Sequence, residues 1–259
     1  MQTGETQINP AQITAFIPAA GFGTRLGNLT QQRPKALAEI NGKPLIKHVI
    51  DKLTGLGITK FIVNVHHFAG MITNYLQNKE FADLEITISD ESCRLMDTGG
   101  GIIKASKLIG NECRCLIVHN VDILTDINLS EAIAQHYSNN NDVTLLISDR
   151  NTARKLVFDQ KMALRGWKNL IKGEQLPISA DLSDCEHLYA FTGVHLLNPE
   201  LTGKLPDEII PLTKLYLSLT ATNRIEGYLC RPSFWFDLGK PDDIIAAQHF
   251  LNSSEYIYD

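Results

Sequence analysis

Between residues 13 and 149, apolar runs of strand length take turns with segments whose apolar residues recur at helical spacing. "ITAFIP", Ile13–Pro18, reads as a buried strand. Residues 44–57 read as a helix with Leu45, Val49, Leu53 and Leu56 on one face, opened by a proline and stopped by a glycine. A β-rich run at 58–65, a helix at 68–77 and a shorter strand at 84–89 follow. The glycine-started helix "TGGGIIKASKLIG" then leads to the strand "CRCLIVHNVD", the helix "LSEAIAQHY" and the strand "DVTLLISD". Such alternation implies an α/β fold: a Rossmann-like, three-layer, mostly parallel sheet with helices on both faces. Ligands of these sheets sit outside the strands' carboxyl ends, where strand order reverses.

After Arg150 the rhythm changes. "RKLVFDQKMALRGW" predicts a hairpin turning at 159–161, and residues 176–186, with little periodicity, predict a loop. "LYAFTGVHLL" predicts a strand, 208–219 a helix, and the stretch from Gly227 a strand, a turn and a helix. With no repeat, low-complexity tract or linker between the parts, 1–259 is expected to be one domain with an added second half, so that the sheet is mixed.

Composition narrows the function. A net charge of −5 argues against a general nucleic-acid binder, while local cations can still dominate one cleft. No apolar run approaches the roughly 20 residues of a membrane span. The first ten residues are polar and include Gly4 and Glu5, so a cytoplasmic protein is expected. The five cysteines show no zinc-type spacing and read as free, incidental thiols.

The first strand runs straight into "AAGFGTRLGNLTQQRPKAL". Gly21 and Gly23 permit a tight turn and close backbone approach, while Thr24, Arg25 and Lys35 add a hydroxyl and two cations. That inventory suits phosphate oxygens. A dinucleotide fingerprint fails because Leu26 holds the third glycine position and Pro34 breaks any helix. A nucleotide-kinase loop fails because Gly27 is followed by Asn28 instead of lysine.

The longer string "AAGFGTRLGNLTQQRPKALAEINGKPLI" closely resembles the signature of the sugar-1-phosphate nucleotidyltransferases, and companion motifs recur in order across 13–251. "LMDTGGGI" resembles that family's second nucleotide loop, "LIVHNVDIL" the strand end carrying a metal-binding aspartate, "FTGVHLL" the glycine-bearing strand near the sugar, and "FWFDLGKPDDI" the motif of a second metal ligand. The resemblance implies a nucleotide-diphospho-sugar transferase type of fold, with about 13–150 binding nucleotide and 151–259 binding sugar phosphate. Its substrates would be a nucleoside triphosphate and a sugar 1-phosphate, its cofactor Mg²⁺, and its state a monomer or small homo-oligomer. Ala19, Ala20, Gly21, Gly23, Thr24, Asp97, Thr98, Gly99 and Gly100 would then bind nucleotide. Arg25 and Lys35 would be catalytic, and Asp122 and Asp237 would hold the metal. Asn120, Gly193 and Lys168 would face the sugar phosphate. Two departures stand out: Val121 replaces a customary glycine, and "LRGWKNLIKGE" stands where many relatives have Glu-Lys-Pro, so that Lys168 is either that lysine or a solvated hairpin cation.

The chemistry asks for the same groups. One anion must attack another, so the protein must supply positioning, cations and a metal, with no covalent intermediate. His66, His67 and His119 fall near the expected crevice, yet the reaction needs no histidine base. Within the family "DTGGGI" after "ITISDE" most resembles the N-acetylmuramate-1-phosphate uridylyltransferases, with mannose- or heptose-1-phosphate guanylyltransferases as the alternative. A binding protein without turnover is the alternative of another class. It is disfavoured because Arg25, Lys35, Asp122 and Asp237 are all present.

Overall fold

The computed structural model describes residues 9–177 and 187–253. Strand β1 (Ile13–Pro18) leads through the glycine loop and two short 3₁₀ turns to a small hairpin, β2 (Glu39–Ile40) and β3 (Lys43–Pro44). Then come α1 (Leu45–Thr54), β4 (Lys60–Val65), α2 (Ala69–Leu76), β5 (Glu85–Asp90), α3 (Asp97–Ser106) and β6 (Cys115–His119). A short strand β7 (Ile123–Thr125), helix α4 (Leu129–Ser138) and strand β8 (Val143–Ser148) close the first half. The second half holds β9 (Arg154–Phe158), β10 (Leu164–Asn169), β11 (Glu174–Pro177), β12 (His187–Leu197), α5 (Pro199–Gly203), α6 (Leu212–Leu219), β13 (Ile225–Leu229), β14 (Trp235–Asp237) and α7 (Pro241–Ser253).

Strand β1 is apolar apart from Thr14 because it lies between parallel neighbours, with Ala15 opposite Phe61 of β4 and Ile117 of β6. Its alternation feeds two layers. Ile13, Ala15 and Ile17 pack with α1, α2, α4 and α7, while Phe16 packs with α3 and α6 on the other face. The parallel part runs β5–β4–β1–β6, and β12 then joins β6 antiparallel. Beyond it β8 pairs antiparallel with β12, and β13 parallel with β8. The expected three-layer α/β sheet is therefore present, in its mixed form.

Strand β12 turns the sheet. Its first residues pair with β9 and its last with β6 and β8, the register breaking between Phe191 and His195. Gly193 sits in that break at φ 85°, a backbone state that glycine tolerates best. The predicted hairpin is β9 and β10, continued by β11. Residues 176 and 177 belong to β11, and 178–186 of the expected loop lie outside the described residues.

One expected helix starts late. The 208–219 run becomes helical only at Leu212, because Pro211 disfavours helical backbone at the residue before it. Residues 208–210 lie instead against α3, where Gly100 N–H donates to the Ile210 carbonyl at 3.2 Å. A Cβ on Gly99 would stand 2.6 Å from that oxygen, and one on Gly100 would strike the Glu208 carbonyl. Gly100→Ala should therefore destabilise the fold by about 1–3 kcal/mol through overpacking. Gly70→Ala, which meets nothing in α2, should be neutral or stabilising by about 0.5 kcal/mol. Denaturant midpoints of the two variants check this; equal midpoints would refute the packing role of Gly100.

Burial also leaves a pH signature. His136 is pushed down to about 4 and His195 to about 3, so both are neutral in the fold at pH 7. Their unfolded forms titrate near 6.5, so unfolding takes up protons below that pH and stability falls as pH drops toward these lowered values. The ring nitrogens of His195 have no hydrogen-bond partner among the described residues. His195→Phe should flatten the stability profile between pH 6.5 and 4, by up to about 1.4 kcal/mol per pH unit. An unchanged slope would show that His195 is not buried neutral.

Candidate functional site

Where β1 ends, the chain leaves the sheet's carboxyl edge, and Ala19, Ala20 and Gly21 line one wall of a 420 Å³ cleft. Asp97 and Thr98, at the start of α3, line another wall, with Lys35, Asn120, Val121 and Asp122 at the base. The first two loop amides are not available to a ligand. Asn64, at the end of β4, accepts from Ala19 N–H at 2.6 Å and Ala20 N–H at 3.2 Å. Its amide donates to Glu91 at 2.8 Å, and the other Glu91 oxygen accepts from Met96 N–H at 3.0 Å. Asn64 and Glu91 are buried, and Gly101 of α3 packs directly on both. This network ties the loop to the opposite wall. Reading the sequence missed it, although a polar Asn64 inside the apolar run "FIVNV" was its signal.

The remaining loop residues shape the cations. Gly23, at φ 64°, has a carbonyl that accepts from the Thr30 hydroxyl at 3.0 Å, and a Cβ there would press on Lys35 and Thr30. Lys35 is buried and ion-paired through Nζ to the Asp122 carboxylate. Arg25 is exposed, and its guanidinium passes over Gly239, where a Cβ would stand 2.9 Å from both Arg25 Cζ and Asp237 Oδ1. Gly239 is thus a packing element of the site that the sequence reading left unassigned.

The two aspartates meet through main-chain pairing. β14 pairs antiparallel with β7, setting Asp237 opposite Ile123, and Leu238 N–H donates to the Asp122 carbonyl at 2.8 Å. Burial pushes the Asp237 carboxyl above its ordinary range, and Asp122's negative charge pushes it further, while Lys35 and Arg25 pull it back. Asp237 Oδ1 is buried with no hydrogen-bond partner among the described residues. A carboxylate oxygen without a partner beside a second carboxylate is an arrangement that a hard divalent cation would neutralise. Among the described residues no group of three or more His, Cys, Asp or Glu could hold a metal, so further oxygens would come from water or bound phosphates.

A second cavity of 430 Å³ opens on the other side of Asn120 and is lined by Gly193, Arg150, Lys155, Trp167, Trp235 and Asp237 among others. Asn120 lines both spaces. The Gly193 carbonyl accepts from Asn120 N–H at 3.0 Å, and a Cβ on Gly193 would stand 2.7 Å from Ile123. Lys168 does not line this cavity, although its β10 neighbour Trp167 and its β9 register partner Lys155 do. Gly99 and Gly100 likewise lie under residues 208–211 and line neither space. His119 is buried with Nδ1 3.0 Å from the Asn120 carbonyl, and burial pushes it down to about 4. His66 and His67 stand beside the exposed Phe22 ring. Cys113, Cys115 and Cys230 are buried free thiols and Cys93 is exposed; Cys185 lies outside the described residues.

Residues 14–156 match the family model described as nucleotidyl transferase. The chain belongs to the nucleotidyl transferase family. An N-acetylmuramate alpha-1-phosphate uridylyltransferase from Caulobacter vibrioides is 32% identical over 240 residues, covering 90% of this chain and 95% of the relative. A probable mannose-1-phosphate guanylyltransferase of Oryza sativa subsp. japonica is 26% identical over 89% of this chain, which spans 62% of that protein. The fold is shared with a putative glucose-1-phosphate thymidylyltransferase from Bacillus anthracis, at TM-score 0.76 and 15% identity over 94% of this chain and 97% of that one. It is also shared with HddC from Yersinia pseudotuberculosis complexed with GMP-PN, at TM-score 0.73, 18% identity and 92% and 99% coverage. In this nucleotidyl transferase no helix among the described residues is long and apolar enough to cross a membrane.

Asn64 offers the sharpest test of how this family member holds its glycine loop. Asn64→Ala strips an acceptor from two amides and a donor from a buried carboxylate, and should lower stability by about 2–3 kcal/mol. Nucleoside triphosphate affinity should fall with it. Unchanged stability and affinity would show that the loop is held elsewhere.

Proposed function

We propose that this protein condenses UTP with a sugar 1-phosphate, N-acetylmuramate 1-phosphate, to give a UDP-sugar and pyrophosphate. The observation that carries this reading is the pair of cavities meeting at Asn120, with Lys35, Asp122 and Asp237 at the junction. The glycine-loop side suits the triphosphate, the Gly193 side the sugar phosphate. The uridylyl reading draws on the 32% identity to the Caulobacter enzyme along most of both chains.

The sugar-phosphate oxygen attacks the α-phosphorus as the bond to the β-phosphate oxygen breaks and pyrophosphate departs in line. Lys35 would neutralise charge building on the α-phosphate, a role supported by its buried ammonium beside Asp122 in the glycine-loop cleft. Arg25 reaches the same region from the loop side and can pair bidentately with the departing pyrophosphate. Gly21 would present main chain to the phosphates from one wall of the cleft, and Asp97 and Thr98 on another wall would meet the nucleoside, while Gly23, which does not line the cleft, shapes the loop behind it. Asp122 and Asp237 fit Mg²⁺, which when bound would supply positive charge between the phosphates of the two substrates.

Pyrophosphate release measured over a panel of triphosphates and sugar 1-phosphates tests the proposal. UTP with N-acetylmuramate 1-phosphate should be the best pair, and activity should vanish on exhaustive chelation and return with Mg²⁺. Preference for GTP with mannose 1-phosphate would overturn the uridylyl assignment, and no turnover with any pair would make the protein a binder. Asp122→Asn should lower kcat by roughly 100-fold or more. Arg25→Ala and Lys35→Ala should slow catalysis more than they weaken triphosphate binding. Lost affinity with unchanged kcat would make either cation a ground-state anchor.

A further inference from the structure

The second cavity contains a cation that no carboxylate among the described residues contacts directly. Arg150 follows β8 and is half-buried, yet it makes no ion pair among the described residues. Its position is nevertheless fixed on several sides. The guanidinium lies 3.7 Å from the ring centroid of Trp235, and one terminal nitrogen donates to the Phe191 carbonyl at 3.2 Å. Trp235 is itself held by a 2.8 Å hydrogen bond from its indole N–H to the Thr192 carbonyl. The Arg150 carbonyl accepts from the buried Lys155 Nζ at 2.7 Å, which pins the main chain. Against this rigidity, the Arg150 Nε–H is buried with no acceptor among the described residues.

A half-buried guanidinium whose Nε–H is desolvated and unused is costly unless something anionic completes it. The wall around it is cationic, since Lys155 and Arg154 also line the cavity and Asp237 is its one acidic lining residue among those described. Asp237 is also the acidic group whose field acts on Arg150, which places the guanidinium on the side of the cavity nearest the junction. Planar forks of this kind bind carboxylate and phosphate oxygens in pairs.

We propose that Arg150 is the receptor for an oxyanion of the sugar substrate, the role that the sequence suggested for Lys168. This rests on the reading of the second cavity as the sugar-phosphate side. The oxyanion is either the phosphate or a carboxylate carried by the sugar, and both present the same paired oxygens. The stack on Trp235 presets the fork, so binding orders little that is not already ordered.

The chain has only two tryptophans, Trp167 and Trp235, and both line this cavity. Intrinsic fluorescence therefore reports binding there without any turnover. Wild type and Arg150→Met, which keeps the apolar stem and loses the fork, should be titrated with N-acetylglucosamine 1-phosphate and with N-acetylmuramate 1-phosphate, and separately with UTP. The proposal expects sugar 1-phosphate affinity to fall roughly 10- to 100-fold, with UTP affinity and the denaturation midpoint nearly unchanged. An equal loss for both sugars identifies the phosphate as the bound oxyanion; a loss confined to the muramate identifies its carboxylate. Arg150→Lys, which keeps charge but not the fork, should recover part of the affinity and cover the case in which the methionine variant does not fold. Unchanged affinity for both sugars in either variant would overturn the proposal. Pyrophosphate release by wild type separates this from failure of the broader reading, because absent turnover would sink the activity while leaving the binding result to be judged separately.

Discussion

Pairing of β14 with β7 carries Asp237 to the side of Asp122, and much of the site follows from that main-chain contact. Each carboxylate raises the cost of the other, and burial raises it again for Asp237. Lys35 and Arg25 offset the repulsion, one ion-paired to Asp122 and the other from the solvent-exposed side of the loop. The fold thus gathers two negative and two positive groups at the carboxyl edge of its parallel strands. That is an expensive arrangement for stability and a useful one for bringing anions together, the compromise expected where local structure serves chemistry.

The glycines divide according to what they permit. Gly193 lets β12 change partners at a bulge and keeps Ile123 and Asn120 close to the cavity wall. Gly99, Gly100 and Gly101 instead let α3 lie directly under residues 208–210 and against the Asn64 and Glu91 pair. The loop that opens α3 is therefore placed by packing beneath it, while Asp97 and Thr98 line the cleft. Val121, which replaces the glycine customary in the family it resembles, lines the cleft beside Asp122, so the wall there carries an apolar side chain.

The parallel half of the sheet was legible because its strands are continuous apolar runs and its helices carry one-sided patterns with proline or glycine punctuation. Strand β1 and the hairpin of β9 and β10 fall close to where periodicity places them. The short strands β2, β3, β7 and β14 span only two or three residues each, too few for any period to register. The start of α6 was set by Pro211, whose effect on the preceding residue outweighed the apolar pattern. In the site, charged residues inside long motifs could be named from sequence, and Lys35, Asp122 and Asp237 do converge. Arg150 could not, since its meaning depends on a stack with Trp235 that sequence separation hides.

The central claim is that both substrates lie on opposite sides of Asn120 and react directly, with no covalent enzyme intermediate. Stereochemistry at the α-phosphorus tests it most directly. With a triphosphate made chiral at that centre by sulfur substitution, a single in-line displacement must invert configuration in the nucleotide-sugar product. Inversion is the result this account predicts. Retention would require two successive displacements, hence a nucleotidyl-enzyme intermediate, and would contradict it.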